Sequence, residues 1–195
     1  MRKTLFAFSA VLLLTMLPGG GPQPAHAQQN KGPIAAILNH YATRNFIEGD
    51  VSAADLDLII QAGIHAPSAR NQQPWHFTVV QNQTLAKKMV SDVVNGNVII
   101  VVSAKGDGKT NGGQILDCGL AVQSIYLAAQ ALGYGSRIYT GAIDSLNKNL
   151  KDELSLPKGY SAVAIIRIGK VQAGVDAVSA ASKRNKAEGM VTYKR

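Results

Sequence analysis

Apolar positions along this chain change their period from segment to segment, and the changes mark out its elements. Ile34, Ile37, Leu38 and Tyr41 recur at helical spacing and predict a short amphipathic helix opening the domain. Ser52-Ala-Ala-Asp55 is a capping-box pattern, in which the acid reaches back to the cap amide. Leu56, Ile59, Ile60, Gly63 and Ile64 then line one helix face, and Pro67 stops the helix. Trp75, Phe77 and Val79 alternate with His76 and Thr78, which reads as a strand. Thr84 opens another helix, carrying Leu85, Met89 and Val93 inward. Val98-Ile-Ile-Val-Val102 is a continuous β-branched run, the pattern of a central strand buried on both faces. Residues 114–132 are apolar nearly all round, which predicts a long helix buried in the core, closed by Gly133 in the left-handed conformation. A short strand follows over residues 136–143, then a small helix capped by Asp144 and reaching Leu154, then a strand over residues 162–168. This order predicts an α+β fold, a mixed β-sheet around a long central helix. The polar stretch over residues 170–195 has to pack on something outside that core.

The first 27 residues follow a different plan. Arg2-Lys3 precedes the apolar run from Leu5 to Leu17, which is too short to span a bilayer well, and Ala25-His26-Ala27 follows a group of Pro and Gly residues. This predicts a secretory signal peptide over residues 1–27, one domain over residues 28–195, and an exported protein, periplasmic or secreted. The run is not followed by a Cys for lipid attachment and holds no twin-Arg pair, and no later segment predicts stable membrane insertion. The formal charge of +8 drops by two when Arg2 and Lys3 are removed, and the remaining basic residues are spread along the chain. They suit an anionic small ligand better than nucleic acid. The single cysteine, Cys118, has no disulfide partner within the chain and reads as a small buried hydrophobe.

Several motifs were weighed for chemistry. Ser103-Ala-Lys-Gly-Asp-Gly-Lys-Thr110 ends as a phosphate loop does, but Ser103 stands where that loop needs Gly to turn around the phosphates. Gly133-Tyr-Gly135 lacks the third glycine of a dinucleotide fingerprint and follows a helix. His40, His65 and His76 share no metal-ligand spacing, so no metal site is expected. No Gly-x-Ser-x-Gly elbow projects a nucleophile.

Ala66-Pro-Ser-Ala-Arg-Asn-Gln-Gln-Pro-Trp75 is different, an irregular stretch between a capped helix and a strand, where backbone amides are free to face a ligand. By composition alone it is an ordinary turn. However, its Pro-Ser-x-x-Asn-x-Gln-Pro-Trp-x-Phe pattern resembles the FMN-dependent nitroreductase family. Further segments resemble that family in the same order: Tyr41-Ala-Thr-Arg44-Asn-Phe46, Leu127-Ala-Ala-Gln-Ala-Leu-Gly-Tyr-Gly-Ser136 with Thr140-Gly141, Leu156-Pro-x-Gly-Tyr-x-x-Val-Ala164, and Arg184 with Val191 and Tyr193.

The resemblance implies a flavin site. In it Arg44 and Arg184 bind the FMN phosphate, with Lys183 as a helper, since a guanidinium makes a charge-assisted fork with phosphate oxygens. Pro67, Ser68 and Asn71 contact the flavin from the second subunit of a domain-embraced homodimer, and Thr140 and Gly141 approach the ring near its reactive nitrogen. The implied function is an oxidoreductase passing electrons from a reduced donor such as NAD(P)H, through FMN, to a small electron-poor acceptor such as a nitroaromatic or quinone. No acid, base or nucleophile is implied, because the cofactor carries the chemistry. The chain departs from the family where a basic residue and Ser usually precede the arginine: His40, Tyr41 and Ala42 stand there. A non-catalytic exported flavin-binding protein is the alternative reading, and salt-dependent nucleic-acid binding ranks last. If the leader is cleaved as predicted, N-terminal sequencing of the protein recovered from outside the cytoplasm will start near Gln28; a chain recovered there still starting at Met1 would contradict cleavage.

Overall fold

The computed structural model describes residues 32–107, 112–172 and 184–194. The elements run α1 (Pro33–Asn39), β1 (Phe46–Ile47), α2 (Ala53–Ile64), β2 (Trp75–Val80), α3 (Gln83–Met89), β3 (Val98–Lys105), α4 (Gly112–Ala131), β4 (Gly135–Tyr139), α5 (Ile143–Asn149) and β5 (Tyr160–Val171). The expected α+β fold is present, with α4 as the long helix packed on the sheet. β5 is the hub of the sheet: it pairs with β3, β4 and the two-residue β1, and β2 pairs with β3. Every pairing among the described residues is antiparallel. The predicted signal segment lies outside the described residues.

The sheet separates two cores. Alternate β3 residues, Val98, Ile100 and Val102, join Ile59 of α2 and Cys118, Val122, Ile125 and Ala129 of α4 on one face. Ile99 and Val101 face the other way, against Ala86 and Met89 of α3, Leu146 of α5 and Leu154. The β-branched run is therefore buried on both faces, as its lack of alternation predicted. Glycine makes the close contact between α2 and α4: a Cβ at Gly63 would stand 2.7 Å from Ile125 Cδ1.

Local signals are obeyed with instructive exceptions. Ser52 caps α2 by accepting a hydrogen bond from the Asp55 amide. The Asp55 carboxylate, however, binds the Ser52 hydroxyl at 2.7 Å, and the cap amide instead donates to the Tyr134 hydroxyl. α3 starts at Gln83, one residue before the predicted Thr84, and Asn82 caps it. Asp144 does not cap α5; it lies in the first turn after Ala142, and the helix ends at Asn149. Gly133 does close α4, at φ 86°. α1 forms as the spacing predicts, but its apolar residues Ile34, Ile37 and Leu38 are 47, 49 and 67 % exposed. The face exists, but it is uncovered among the described residues.

One buried cation ties the far end of the sheet together. Arg167 on β5 is 1 % exposed. Its Nε donates to Asn97 Oδ1 at 2.7 Å and its Nη2 to the Asp92 carbonyl at 2.8 Å. Nη1 lies 3.0 Å from Asp92 Oδ2, close enough for ion pairing without forming a hydrogen bond, and the guanidinium sits 4.0 Å from the Phe46 ring centroid. Removing a buried, bonded charge leaves both a void and unpaired acceptors, so Arg167→Ala should cost about 3 kcal/mol. The check is the urea midpoint of unfolding, and an unchanged midpoint would contradict this assignment.

Candidate functional site

Two groups of residues with ligand-binding chemistry stand at opposite ends of α4. At its N-terminal end, Pro67 to Trp75 forms a loop with a single 3-10 turn, Ala69–Asn71. Arg70, Asn71 and Gln73 all have left-handed backbone, with φ of 54, 55 and 46°. Such a conformation costs a non-glycine residue roughly 1–2 kcal/mol, less for Asn. The loop therefore needs bonds to hold it. Ser68 Oγ accepts from the Gln73 amide at 3.0 Å, closing the loop on itself. Asp117 of α4, 4 % exposed, reaches across with Oδ1 to the Ala69 amide at 3.1 Å.

These bonds determine what the loop offers. The Gln73 side chain donates to Asn71 Oδ1 at 3.1 Å, which occupies the amide oxygen of Asn71 and leaves its Nδ2–H groups for a ligand. Ser68 Oγ likewise has an acceptor role within the loop and keeps its hydroxyl hydrogen. Pro67 and Asn71 are exposed and Ser68 is half-buried. The surface presented is one of hydrogen-bond donors, suited to a flat heterocycle with carbonyl and ring-nitrogen acceptors such as an isoalloxazine.

The other group gathers at the C-terminal end of α4. Gln130 Oε1 accepts from the Tyr41 amide and its Nε2 donates to the Tyr41 carbonyl and to Ser136 Oγ. Thr43, fully buried, exchanges bonds with Ser136: its amide donates to the Ser136 carbonyl, and its hydroxyl accepts from the Ser136 amide. The segment leading to Arg44 is thus pinned by backbone, and the exposed Arg44 side chain is carried just beyond it. His40 Nδ1 lies 3.3 Å from the Tyr126 hydroxyl, ring edge to face. Partial burial lowers the His40 pKa, and the Arg184 guanidinium lowers it further, so Arg184 belongs to this same end. Arg184 also acts on Tyr126, whose pKa burial raises. His40, Tyr41 and Gln130 border a cavity of about 220 Å³ here. Two guanidiniums at one site suit a phosphate dianion.

Thr140 and Gly141 follow β4 and are both exposed, and the Thr140 carbonyl accepts from the Ile143 amide. A Cβ at Gly141 would meet nothing within 4 Å in this chain, so an approaching ligand has open access to the backbone there. Lys183 lies outside the described residues. The fold therefore carries Arg44 and Arg184 at the same end of α4 and holds Pro67, Ser68 and Asn71 in one loop, but it keeps the two groups apart. From Asp117 to Gln130 is thirteen residues of helix, about 20 Å.

Sequence reasoning missed both anchors, Asp117 and Gln130. Each is a lone polar residue in an otherwise apolar helical run, Ile115-Leu-Asp-Cys118 and Ala128-Ala-Gln-Ala131, and that isolation was the available signal. Cys118 is buried as expected.

The fold and the two half-sites define a flavin-binding α+β oxidoreductase type, and comparison with known proteins agrees. The sequence profile of the nitroreductase family matches residues 37–99 and 93–170. A relative from Archaeoglobus fulgidus, provisionally named an NADH dehydrogenase/NAD(P)H nitroreductase, is 30 % identical over 148 residues, covering 70 % of this chain and 83 % of its own. A nitroreductase from Bacteroides fragilis, solved with bound FMN, superposes with a TM-score of 0.70 at 20 % identity, covering 83 % of this chain and 98 % of its own. An FMN-dependent nitroreductase from Clostridium difficile gives 0.63 at 25 % identity, covering 86 and 99 %. The chain belongs to the nitroreductase family and is an oxidoreductase.

Burial, and then the Asp117 carboxylate, pushes the Cys118 thiol up to about 11. At pH 8 the thiolate is therefore scarce. Thiol reagents should label native protein at least a hundredfold more slowly than urea-unfolded protein; equal rates would show the thiol to be accessible.

Proposed function

We propose that the chain is an FMN-dependent NAD(P)H oxidoreductase, exported, working as a homodimer on small electron-poor acceptors such as nitroaromatics and quinones. The observation that carries this reading is the pairing of a donor-presenting loop, Ser68 to Gln73, with a two-guanidinium end at Arg44 and Arg184, on the fold of a flavin enzyme family. The chemistry that FMN supplies when bound is two-electron transfer, from a reduced nicotinamide to an acceptor. The residues bind and orient. Arg44 and Arg184, with Lys183, neutralise the phosphate. Ser68 and Asn71 donate to the acceptor edge of the ring, Pro67 packs beside them, and Thr140 and Gly141 leave backbone open to it. No side chain is needed as acid, base or nucleophile.

The dimer reading rests on two features. The half-sites are anchored at opposite ends of α4, and two antiparallel copies would bring the loop of one beside the arginines of the other. α4 also leaves an apolar stripe uncovered, with Leu116 66 % and Leu120 38 % exposed at helical spacing. The uncovered face of α1 adds to it. The second copy is the occupant that this stripe and the divided site require together.

After incubation with FMN and removal of free flavin, the protein should hold close to one FMN per subunit and oxidise NAD(P)H in the presence of a nitroaromatic. A folded protein that never retains flavin would overturn the reading. Retention without turnover would favour a flavin-binding module instead. Arg44→Ala and Arg184→Ala should each weaken FMN at least tenfold and leave riboflavin, which lacks the phosphate, unchanged. Leu116→Glu should give a folded monomer by light scattering that has lost FMN; a dimer of unchanged affinity would refute the shared site.

A further inference from the structure

Asp117 takes no part in electron transfer, yet it is the one buried carboxylate among the described residues, and it reaches the loop that faces the ring. We infer that Asp117 is the positioning residue of the flavin loop. It fixes the Ala69 amide, and with it the left-handed turn that aims the donors of Ser68 and Asn71. This rests on the FMN reading above.

The argument is one of sufficiency. The loop contains Arg70, Asn71 and Gln73 in left-handed backbone, a run that residues with side chains do not hold spontaneously. The bonds inside the loop are Ser68 to Gln73, Gln73 to Asn71 and the turns from Asn71 to Ser68 and from Gln72 to Ala69. All move with the loop and cannot fix its placement. The Ala69 amide is different: its acceptor is a side chain 48 residues away, on the helix that packs under the sheet. A carboxylate acceptor makes this bond charge-assisted, stronger than a neutral one, and the burial of Asp117 shields the acceptor side from competing water. Cys118, Val122 and Ile125 anchor α4 in the core, so the carboxylate is delivered from a rigid element. Without it, the Ala69 amide loses its anchor on α4, and the donors of Ser68 and Asn71 lose their aim.

The loop faces the ring and the arginines face the phosphate, which separates this proposal from general loss of binding. In the full chain, fluorescence titration should show Asp117→Ala weakening FMN and riboflavin by the same factor, about tenfold or more, while Arg44→Ala affects FMN alone. Asp117→Asn keeps an oxygen acceptor and should return both affinities to within about threefold. The same bond can be cut from its other end. Ser68 is extended, at φ −143° and ψ 154°, as a residue before proline must be, and Ala69 stays at negative φ, so Ala69→Pro removes the amide hydrogen without forbidding the backbone. It should reproduce the Asp117→Ala losses, and the double variant should bind no worse than the weaker single one. Should Asp117→Ala fail to fold, Ala69→Pro carries the test alone. Undiminished flavin affinity in folded Asp117→Ala or Ala69→Pro would overturn the assignment, as would Asp117→Asn binding as poorly as Asp117→Ala. A wild-type chain that binds neither flavin would overturn the FMN reading first, and the assignment with it.

Discussion

The molecule depends on one helix that must serve two masters along its length. α4 is apolar on nearly every side, and the sheet can cover only part of that surface. Residues at Cys118, Val122, Ile125 and Ala129 go into the core, while Leu116 and Leu120 remain in contact with water. Covering this stripe would gain roughly 25 cal/mol for each square ångström buried, a strong drive for association. The same helix carries the two polar anchors of the candidate site, Asp117 near its start and Gln130 near its end. Its core packing therefore sets the positions of both half-sites at once, and its length keeps them apart.

This arrangement explains why few side chains near the site have unusual acid–base chemistry. Partial burial and then Arg184 lower the His40 pKa, and the Cys118 thiol is kept protonated by burial and Asp117. The thiol is thus not tuned toward proton transfer near neutral pH. In the proposed site, backbone amides, an Asn amide and guanidiniums would supply what a redox cofactor asks of its protein: a fixed place and a fixed electrostatic surrounding. Arg167, on the hub strand of the sheet, works with the same economy, tying β5 to β1 and to the turn before β3.

The departures from the sequence expectations share a cause. The periodic pattern of α1 was legible, but its burial was not, because a pattern reports that a face is apolar and not what covers it. The capping box was legible at Ser52, yet Tyr134 took the bond assigned to Asp55, because a hydroxyl 82 residues away had arrived at the cap amide. Asp144 failed as a cap for the same kind of reason: the turn after Thr140 placed the helix start at Ala142.

The amino-acid sequence by itself determined the local structure: a central β-branched strand, a long apolar helix ended by a left-handed glycine, and an irregular loop at Pro67 to Trp75 whose residue types could be recognised. Those features follow from neighbours a few residues apart, so they are written in spacing and composition. The tertiary structure alone decided that Asp117 holds that loop and Gln130 holds the arginine segment, across 48 and 89 residues of chain. It also decided that the arginines and the loop face different ends of one helix. Such bonds form only when distant segments have been packed side by side, and no period along the chain records them.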